Sequence, residues 1–169
     1  MPEILDLYDE NRKLLGKTHV RGVPIKEGTF YLVADIWTIT YDGYILIDKR
    51  HPSKPFGGMW ECTGGAVTAG EDSVTGALRE LKEELGIEAD KDELRLIDTC
   101  RCPNKFVDTY LLRKNIDVQA LRLQKEEVTE ARLVSFDELN KIYENNRLSI
   151  SSGRFEEYRD ILMECTRPK

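Results

Sequence analysis

Apolar residues recur along the chain with two spacings, and each spacing predicts a different kind of element. Apolar and polar residues alternate over "ILDLYDENRKLLGKTHV", around the turn-forming "DENRK", which predicts a β-hairpin within residues 1–27. A spacing of three to four residues follows at residues 72–85 and predicts a helix. Its apolar face consists of Val74, Ala77, Leu78, Leu81 and Leu85.

The other elements follow from β-branched and aromatic runs and from the turn residues between them. Two strands at 30–40 and 44–50 flank the Asp42-Gly43 turn. Further strands are expected at 59–63, 94–101, 106–113 and 130–135, and helices at 136–146 and from near Ser152 to 165. "GGAVTAG" at 64–70 is predicted to be a glycine-rich loop. This order of elements predicts an α/β protein with a mixed β-sheet.

The chain has the size and composition of one soluble domain. It has 169 residues, 40% hydrophobic and 33% charged, with no internal repeat or linker, so residues 1–169 are expected to fold together. The apolar runs are too short to cross a membrane, and the acidic N-terminus does not resemble a secretory signal. We therefore expect a cytoplasmic protein without a membrane partner.

The net charge and the residue types of the chain indicate that any catalysis depends on carboxylate side chains. A net charge of −6 argues against stable binding of nucleic acid, although a bound cation would still permit a phosphorylated small molecule. Cys62, Cys100, Cys102 and Cys165 lack the spacing of a zinc site and are expected to be reduced thiols. The two histidines, His19 and His51, are expected in surface or turn positions, because no nucleophile motif accompanies them.

An unusual acidic cluster closes the helix in "GALRELKEELGI", residues 76–87. Glu83 and Glu84 precede Gly86, a residue suited to a left-handed helix cap, and there the helix dipole disfavours carboxylates. With Glu80 they follow the spacing i, i+3, i+4, so that three like charges share one edge of the helix. A solvated acidic face would normally carry lysines at i+4. Hard carboxylate oxygens beside a glycine loop instead favour Mg²⁺ or Mn²⁺.

The spacing around this helix resembles the Nudix box, here at residues 65–87. Nine positions match, and a chance match is on the order of one in a million or less. They are Gly65, Glu71, Arg79, Glu80, Leu81, Glu83, Glu84, Gly86 and Ile87. The resemblance implies a Nudix-type α/β/α sandwich. It also implies a metal-dependent hydrolase of nucleoside diphosphates linked to another group, or of related small diphosphates.

The same resemblance implies roles for individual residues. Glu83 and Glu84 would bind the metal together with the carbonyl of Gly64. Glu80 would bind the metal or hold the attacking water, Arg79 would orient Glu80, and Glu71 would support them from behind.

Residues outside the box complete the expected site. Relatives of this kind often take a further acid from a later loop, for which Glu127 is the first candidate and Glu126 the second; a plain surface acid fits this position equally well. Lys49 and Arg50 end a strand beside the expected site and are candidate phosphate contacts. Four aromatic residues are candidates for stacking on a base, although aromatic residues in strands more often belong to the core. They are Trp37, Trp60, Phe106 and Tyr110.

Three longer stretches resemble type I isopentenyl-diphosphate isomerase and its Nudix relatives. They are "DLYDENRKLLGKTHVRG", "YDGYILIDKR" and "GMWECTGG". The isomerase's catalytic cysteine falls at Gly64, its metal-binding histidines fall at Ala66 and about Tyr31, and its downstream glutamates have no counterpart in "RCPNKFVDTYLLR". Cys62 lies two positions too early to replace the cysteine.

These losses favour a hydrolase, with an isomerase as the alternative. A non-catalytic nucleotide-binding module is a second alternative, but such modules tend to lose the box carboxylates. The expected partner is a small nucleotide or diphosphate, and the protein is expected to be a monomer or a homodimer.

Overall fold

A computed structural model describes residues 2–149 and 154–167. The strands are β1 (Ile4–Tyr8), β2 (Leu14–Val20), β3 (Tyr31–Ile39), β4 (Ile45–Arg50), β5 (Trp60–Glu61), β6 (Thr63–Ala66), β7 (Leu94–Arg101), β8 (Lys105–Arg113) and β9 (Val128–Val134). The helices are α1 (Ser73–Leu85), α2 (Phe136–Glu144) and α3 (Phe155–Cys165). The expected start of the last helix near Ser152 lies outside the described residues.

A mixed sheet forms the centre of the molecule. Its strands run in the order β5-β4-β3-β8-β7, with β6 also paired to β3 and β9 to β4. The β3–β8 pair is parallel and the other pairs are antiparallel. The predicted mixed sheet is therefore confirmed.

Helices cover both faces of this sheet because the apolar residues of its strands alternate between the two sides. Leu32, Ala34 and Ile36 of β3 pack in one core with Ala77, Leu81 and Leu85 of α1. Trp37 and Ile39 of the same strand pack in a second core with Leu139 of α2 and Leu162 of α3. The α/β/α sandwich is thus confirmed. No helix in the described ranges is long and apolar enough to cross a membrane.

The predicted N-terminal hairpin is present as a separate pair of antiparallel strands, β1 and β2. It docks on the main sheet through a backbone bridge between Tyr8 and Phe30 and through Arg12, whose Nη1 donates to Oδ1 of Asp108 at 2.6 Å. The Asp108 carboxylate is buried. Docking brings the outer ends of the hairpin, at Glu3 and Arg21, to the end of α1 where the acidic cluster lies.

The predicted loop at 64–70 is wrong for its first half. Residues 63–66 form β6, which pairs with β3 from Val33–Ala66 to Ile36–Thr63. Glycine is uncommon in strands, so strand β6 is defined only by its long-range pairing with β3. A Cβ atom on Gly64 would lie 2.6 Å from the carbonyl oxygen of Ala34 and from Oδ1 of Asp35, so the close approach of β3 requires glycine there.

Candidate metal centre

Helix α1 is capped at both ends, and the C-terminal cap lies at Gly86 as the sequence predicts. The Asp72 side chain accepts a hydrogen bond from the Thr75 amide at 2.7 Å, and Gly86 has a left-handed φ of 71°. The Gly86 amide donates to the carbonyl of Lys82, and the Ile87 amide donates to that of Leu81, which closes the helix. The caps fix the last turn, so Glu83 and Glu84 lie at the negative end of the helix dipole.

Arg79 neutralises part of the acidic cluster from within the chain. Its guanidinium donates to Glu71 (2.9 Å), Glu80 (2.9 Å), Glu83 (3.1 Å) and the carbonyl of Ala66 (2.9 Å). Burial alone would raise the pKa of Glu71, but hydrogen bonds from Arg79 and Thr68 outweigh burial and lower it. For Glu80, burial dominates over the attraction of Arg79, and the pKa is raised. Arg79 therefore joins the predicted residues Glu71 and Glu80 into one network.

Glu84 lies outside this network. It is partly buried, and in the part of the chain that the structure describes no side chain pairs with its carboxylate. Burial raises the pKa of Glu84 well above its ordinary value, and the nearby charges of Asp48, Glu80, Glu61 and Glu127 raise it further. Glu84 is thus an acid surrounded by acids, and a bound cation would relieve this repulsion.

Two buried acids behind Glu84 were missed in the sequence. Asp48 of β4 and Glu61 of β5 are directly opposite each other in the strand pair. Burial raises the pKa of Asp48 to about 7, and burial together with the charge of Asp48 raises that of Glu61 to about 8. One oxygen of each carboxylate, Asp48 Oδ1 and Glu61 Oε2, is buried without a hydrogen-bond partner among the described residues. The signal was available, since each acid interrupts an apolar strand, in "YILIDKR" and "MWECT".

A cavity of about 340 Å³ collects most of the predicted site residues. Gly64, Gly65, Glu80, Glu83 and Glu84 form one wall, and Glu127 from the later loop faces the same space. The cations Arg21, Arg50 and Lys54 line it as well, together with Glu3, Pro55 and Gln124. Arg21 and Lys54 had no recognisable signal, because only the docked hairpin and the folded 51–58 loop bring them here.

Two of the candidates, Glu126 and Lys49, fall outside this cavity. Glu126 is exposed to solvent next to Glu127. The structure does not bring Lys49 into the site, because strand alternation turns it to the opposite face of the sheet from Asp48. Its ammonium lies 5.4 Å from the centre of the Trp60 ring and 3.6 Å from Glu130. Of the two candidate phosphate contacts, only Arg50 lines the cavity.

The cations in the cavity are held by acids and by backbone carbonyls. Arg50 donates from Nη1 to Oε1 of Glu61 at 2.5 Å and from Nε to the carbonyl of Pro55 at 2.8 Å. Lys54 forms an ion pair with Glu127, whose carbonyl also accepts a 2.7 Å hydrogen bond from the His51 amide. The 51–58 loop is therefore fixed over the cavity at both Arg50 and Glu127.

The oxygen atoms that line this cavity are of the chemical types that bind divalent cations. Carboxylate oxygens and a glycine carbonyl are the ligands preferred by Mg²⁺ and Mn²⁺. The unpaired charge of Glu84 and the raised pKa values around it indicate excess negative charge at this point. Within residues 2–149 and 154–167, however, no group of three His, Cys, Asp or Glu side chains is arranged so that it could hold a metal ion. The fit is therefore one of donor type and charge.

The remaining candidates lie away from the cavity. Cys62 is fully buried in the core with α2 and α3. His51 contacts Ser53 in the turn after β4, whereas His19 lies on strand β2, where its ring contacts the carbonyl of Val23. The four aromatic candidates all belong to the two cores: Phe106 and Tyr110 on the α1 side, and Trp37 and Trp60 on the other.

The chain is similar to known proteins in both sequence and fold. A model of the NUDIX domain matches residues 31–152. An uncharacterized Nudix hydrolase from Listeria monocytogenes is 36% identical over 155 residues, which cover 90% of this chain and 88% of that protein.

Two crystal structures share the fold at low sequence identity. A Deinococcus radiodurans protein aligns with a TM-score of 0.73 at 22% identity, covering 98% of this chain and all of that one. A bifunctional NMN adenylyltransferase/ADP ribose pyrophosphatase from Francisella tularensis, complexed with AMP and a Mn ion, aligns with a TM-score of 0.66 at 17% identity. That alignment covers 85% of this chain and 43% of the other.

Proposed function

The chain belongs to the Nudix family of hydrolases, and from this premise we propose that it cleaves a diphosphate linkage with the help of Mg²⁺ or Mn²⁺. The proposed substrate is a nucleoside diphosphate derivative or a related small diphosphate. The observation that carries the proposal is Glu84, a partly buried carboxylate among other acids without a cationic partner in the described region. Such an arrangement destabilises the protein unless a cation binds.

Four groups on one wall of the cavity would hold the metal: the carbonyl of Gly64 and the carboxylates of Glu80, Glu83 and Glu84. When bound, a divalent cation neutralises diphosphate oxygens and acidifies a water molecule. The Francisella protein that shares this fold is complexed with a Mn ion. Arg79 and Glu71 act as positioning residues, since their hydrogen bonds fix the Glu80 carboxylate against Gly65.

Glu127 is the proposed acceptor of the proton from the attacking water. It faces the same cavity as the box glutamates but comes from a different segment, so it can approach water from the opposite side. Its ion pair with Lys54 orients the carboxylate. A diphosphate entering the cavity would compete for Lys54 and release Glu127 to act as a base.

Arg50, Lys54 and Arg21 are the proposed phosphate contacts. They supply the positive charge in a cavity that otherwise contains carboxylates, and the Arg50 guanidinium is prealigned by Glu61 and Pro55. A negatively charged substrate would therefore contact the metal-binding wall of the cavity and also its cationic side chains.

Isomerase chemistry is the less favoured alternative. The nearest cysteine in sequence, Cys62, is fully buried in the core on the other face of the sheet and does not line the cavity. We propose that the chain is related to the isomerase-like branch without sharing its chemistry. A non-catalytic binding module is disfavoured because every box acid is present and Glu80, Glu83 and Glu84 share one cavity.

A substrate screen tests the proposal. Purified protein with Mg²⁺, Mn²⁺ or EDTA is incubated with nucleoside di- and triphosphates, dinucleotides, nucleotide sugars and isoprenoid diphosphates. We expect hydrolysis of at least one diphosphate with either metal, no hydrolysis in EDTA, and no turnover by Glu84→Gln. Full activity in EDTA, isomerisation without hydrolysis, or complete inactivity across the panel would contradict the proposal.

A further inference from the structure

The loop over the cavity contains a strained turn at Phe56. Residues 54–57 form a β-turn in which the Gly57 amide donates to the carbonyl of Lys54 at 2.9 Å. Pro55 and Phe56 occupy the two central positions, and Phe56 has a left-handed φ of 59°. This position of a type II turn normally requires glycine or asparagine, and a bulky residue there is a genuine outlier.

Burial does not compensate the strain at Phe56. Its side chain is 45% exposed, whereas Trp37, Trp60, Phe106 and Tyr110 are buried in the cores. An exposed aromatic ring in a disfavoured backbone conformation stabilises neither the turn nor the core. Strain of this kind concentrates at functional sites, so an external contact is the remaining reason for a phenylalanine here.

The contacts of the loop fix Phe56 at the rim of the cavity. The two preceding residues, Lys54 and Pro55, both line the cavity. Arg50 holds the carbonyl of Pro55, and the Gly58 amide donates back to the carbonyl of Arg50 at 3.0 Å. A Cβ atom on Gly57 would lie 2.7 Å from Cα of Pro52, so the loop is also tightly folded.

The inside and the rim of the cavity differ in chemistry. The described lining residues are charged or polar, apart from two glycines and Pro55, and none of them is aromatic. Such a lining suits phosphates and metal but offers no flat apolar surface to an organic group. Phe56 follows directly after the lining residue Pro55, and its exposed ring would supply such a surface.

We propose that Phe56 is a specificity-determining residue that stacks on the base of a nucleoside diphosphate whose phosphates lie inside the cavity. The proposal rests on the proposed function for the location of the phosphates. It adds that one aromatic face, without a base-specific hydrogen bond from the described lining residues, recognises the organic group. Purine and pyrimidine nucleotides should then bind with similar affinity.

Binding of two matched inert probes tests this inference independently of turnover. The probes are α,β-methylene-ADP and methylenediphosphonate, which carry the same phosphorus core with and without a nucleoside. Titration calorimetry with Mg²⁺ should show that wild type binds the nucleoside probe about 5- to 100-fold more tightly, as expected for one stacked base. In Phe56→Ala the two affinities should become nearly equal. Tyr44→Ala, which removes an equally exposed ring (44%) at the opposite end of β4 from Arg50, should behave as wild type.

A second variant separates a binding role from a structural one. Phe56→Gly removes the ring and also relieves the strained φ, so its melting temperature should equal or exceed that of wild type while the preference for the nucleoside probe is lost. An unchanged preference in both variants, or a lower melting temperature in Phe56→Gly, would overturn the inference. Hydrolysis of no compound in the substrate screen would refute the proposed function but leave the probe preference to be measured.

Discussion

The carboxylate of Glu80 lies directly against Gly65, in the space that a Cβ atom at residue 65 would occupy. Such a Cβ would be 2.8 Å from Oε2 of Glu80 and closer still to the rest of the carboxylate. Arg79 holds the same carboxylate at 2.9 Å from the other side. The glycine is therefore needed for the position of Glu80 and not for an unusual backbone angle, since its φ is not in the left-handed region.

Gly65→Ala should displace Glu80 and lower activity without unfolding the protein. The Glu80 side chain ends in a flexible carboxylate that can move away, but only by breaking its hydrogen bond to Arg79. We expect a loss of turnover of at least about tenfold, as for a group displaced from its productive position. The melting temperature without metal should change by only a few degrees. Wild-type turnover in this variant would show that Glu80 need not occupy this position.

Glu127→Gln should lower turnover much more than Glu126→Gln. Glu127 lines the cavity and would accept a proton, whereas its neighbour is exposed to solvent. Loss of a general base lowers rates by about 10²–10⁴-fold, and Glu126→Gln should remain within about twofold of wild type. Equal activities of the two variants would remove Glu127 from the site.

The buried pair Asp48 and Glu61 should make the metal-free protein less stable at alkaline pH. The pKa of Glu61 rises from an ordinary value of 4.5 to about 8 on folding, so the unfolded chain releases this proton first. Its contribution to stability is complete below about pH 4.5 and is lost as pH rises through about 8. Asp48 acts in the same direction, with a pKa of about 7.

Glu61→Gln provides the matched measurement. Glutamine keeps an acceptor for Arg50 but does not ionise, so the fall in melting temperature between pH 5 and 9 in EDTA should be shallower than in wild type. The variant should become the more stable protein near pH 8. Parallel curves for the two proteins would show that Glu61 is ionised throughout this range.

Cys62→Ala should affect stability but not catalysis. The thiol is fully buried in the core beside α2 and α3, and loss of one buried heavy atom costs about 1 kcal/mol, or about 2–4 °C in melting temperature. Turnover per folded molecule should stay within about twofold. A loss of about a hundredfold, as for an essential catalytic group, would favour isomerase-like chemistry.

The elements and the box could be predicted because their signals are local. Helix α1 is defined by apolar spacing and by Asp72 and Gly86 at its ends, and the sandwich followed from the family resemblance. Strand β6 could not be predicted, because two of its four residues are glycines and only pairing with β3 makes it a strand.

Side-chain direction and long-range pairing limited what the sequence could say about the site. Lys49 and Arg50 were equivalent candidates, yet pairing of the sheet directs only Arg50 to the cavity. Arg21 and Lys54 also line the cavity, but Arg21 lies 43 residues before Gly64 and Lys54 lies 26 residues before Glu80. No local motif therefore links either cation to the box. Asp48 and Glu61 were recognisable in principle as acids inside apolar strands.

The central claim is that the acids of α1 are tolerated because a metal compensates them, and Glu84→Gln tests it. Removing this charge relieves repulsion from Glu80 at i−4, worth about 0.2–0.5 kcal/mol. It also removes an unfavourable interaction with the helix dipole, worth about 0.3–1 kcal/mol. Together these amount to roughly 0.5–1.5 kcal/mol, or a few degrees in melting temperature.

The most direct measurement is a pair of melting curves for wild type and Glu84→Gln at pH 8, first in EDTA and then with millimolar Mg²⁺. In EDTA the variant should melt at the same temperature as wild type or a few degrees higher. With Mg²⁺ the order should reverse, because a site filled to ten times its dissociation constant stabilises wild type by about 1.4 kcal/mol and the variant gains much less. A variant that is clearly less stable in EDTA, or wild type that gains nothing from Mg²⁺, would contradict the claim.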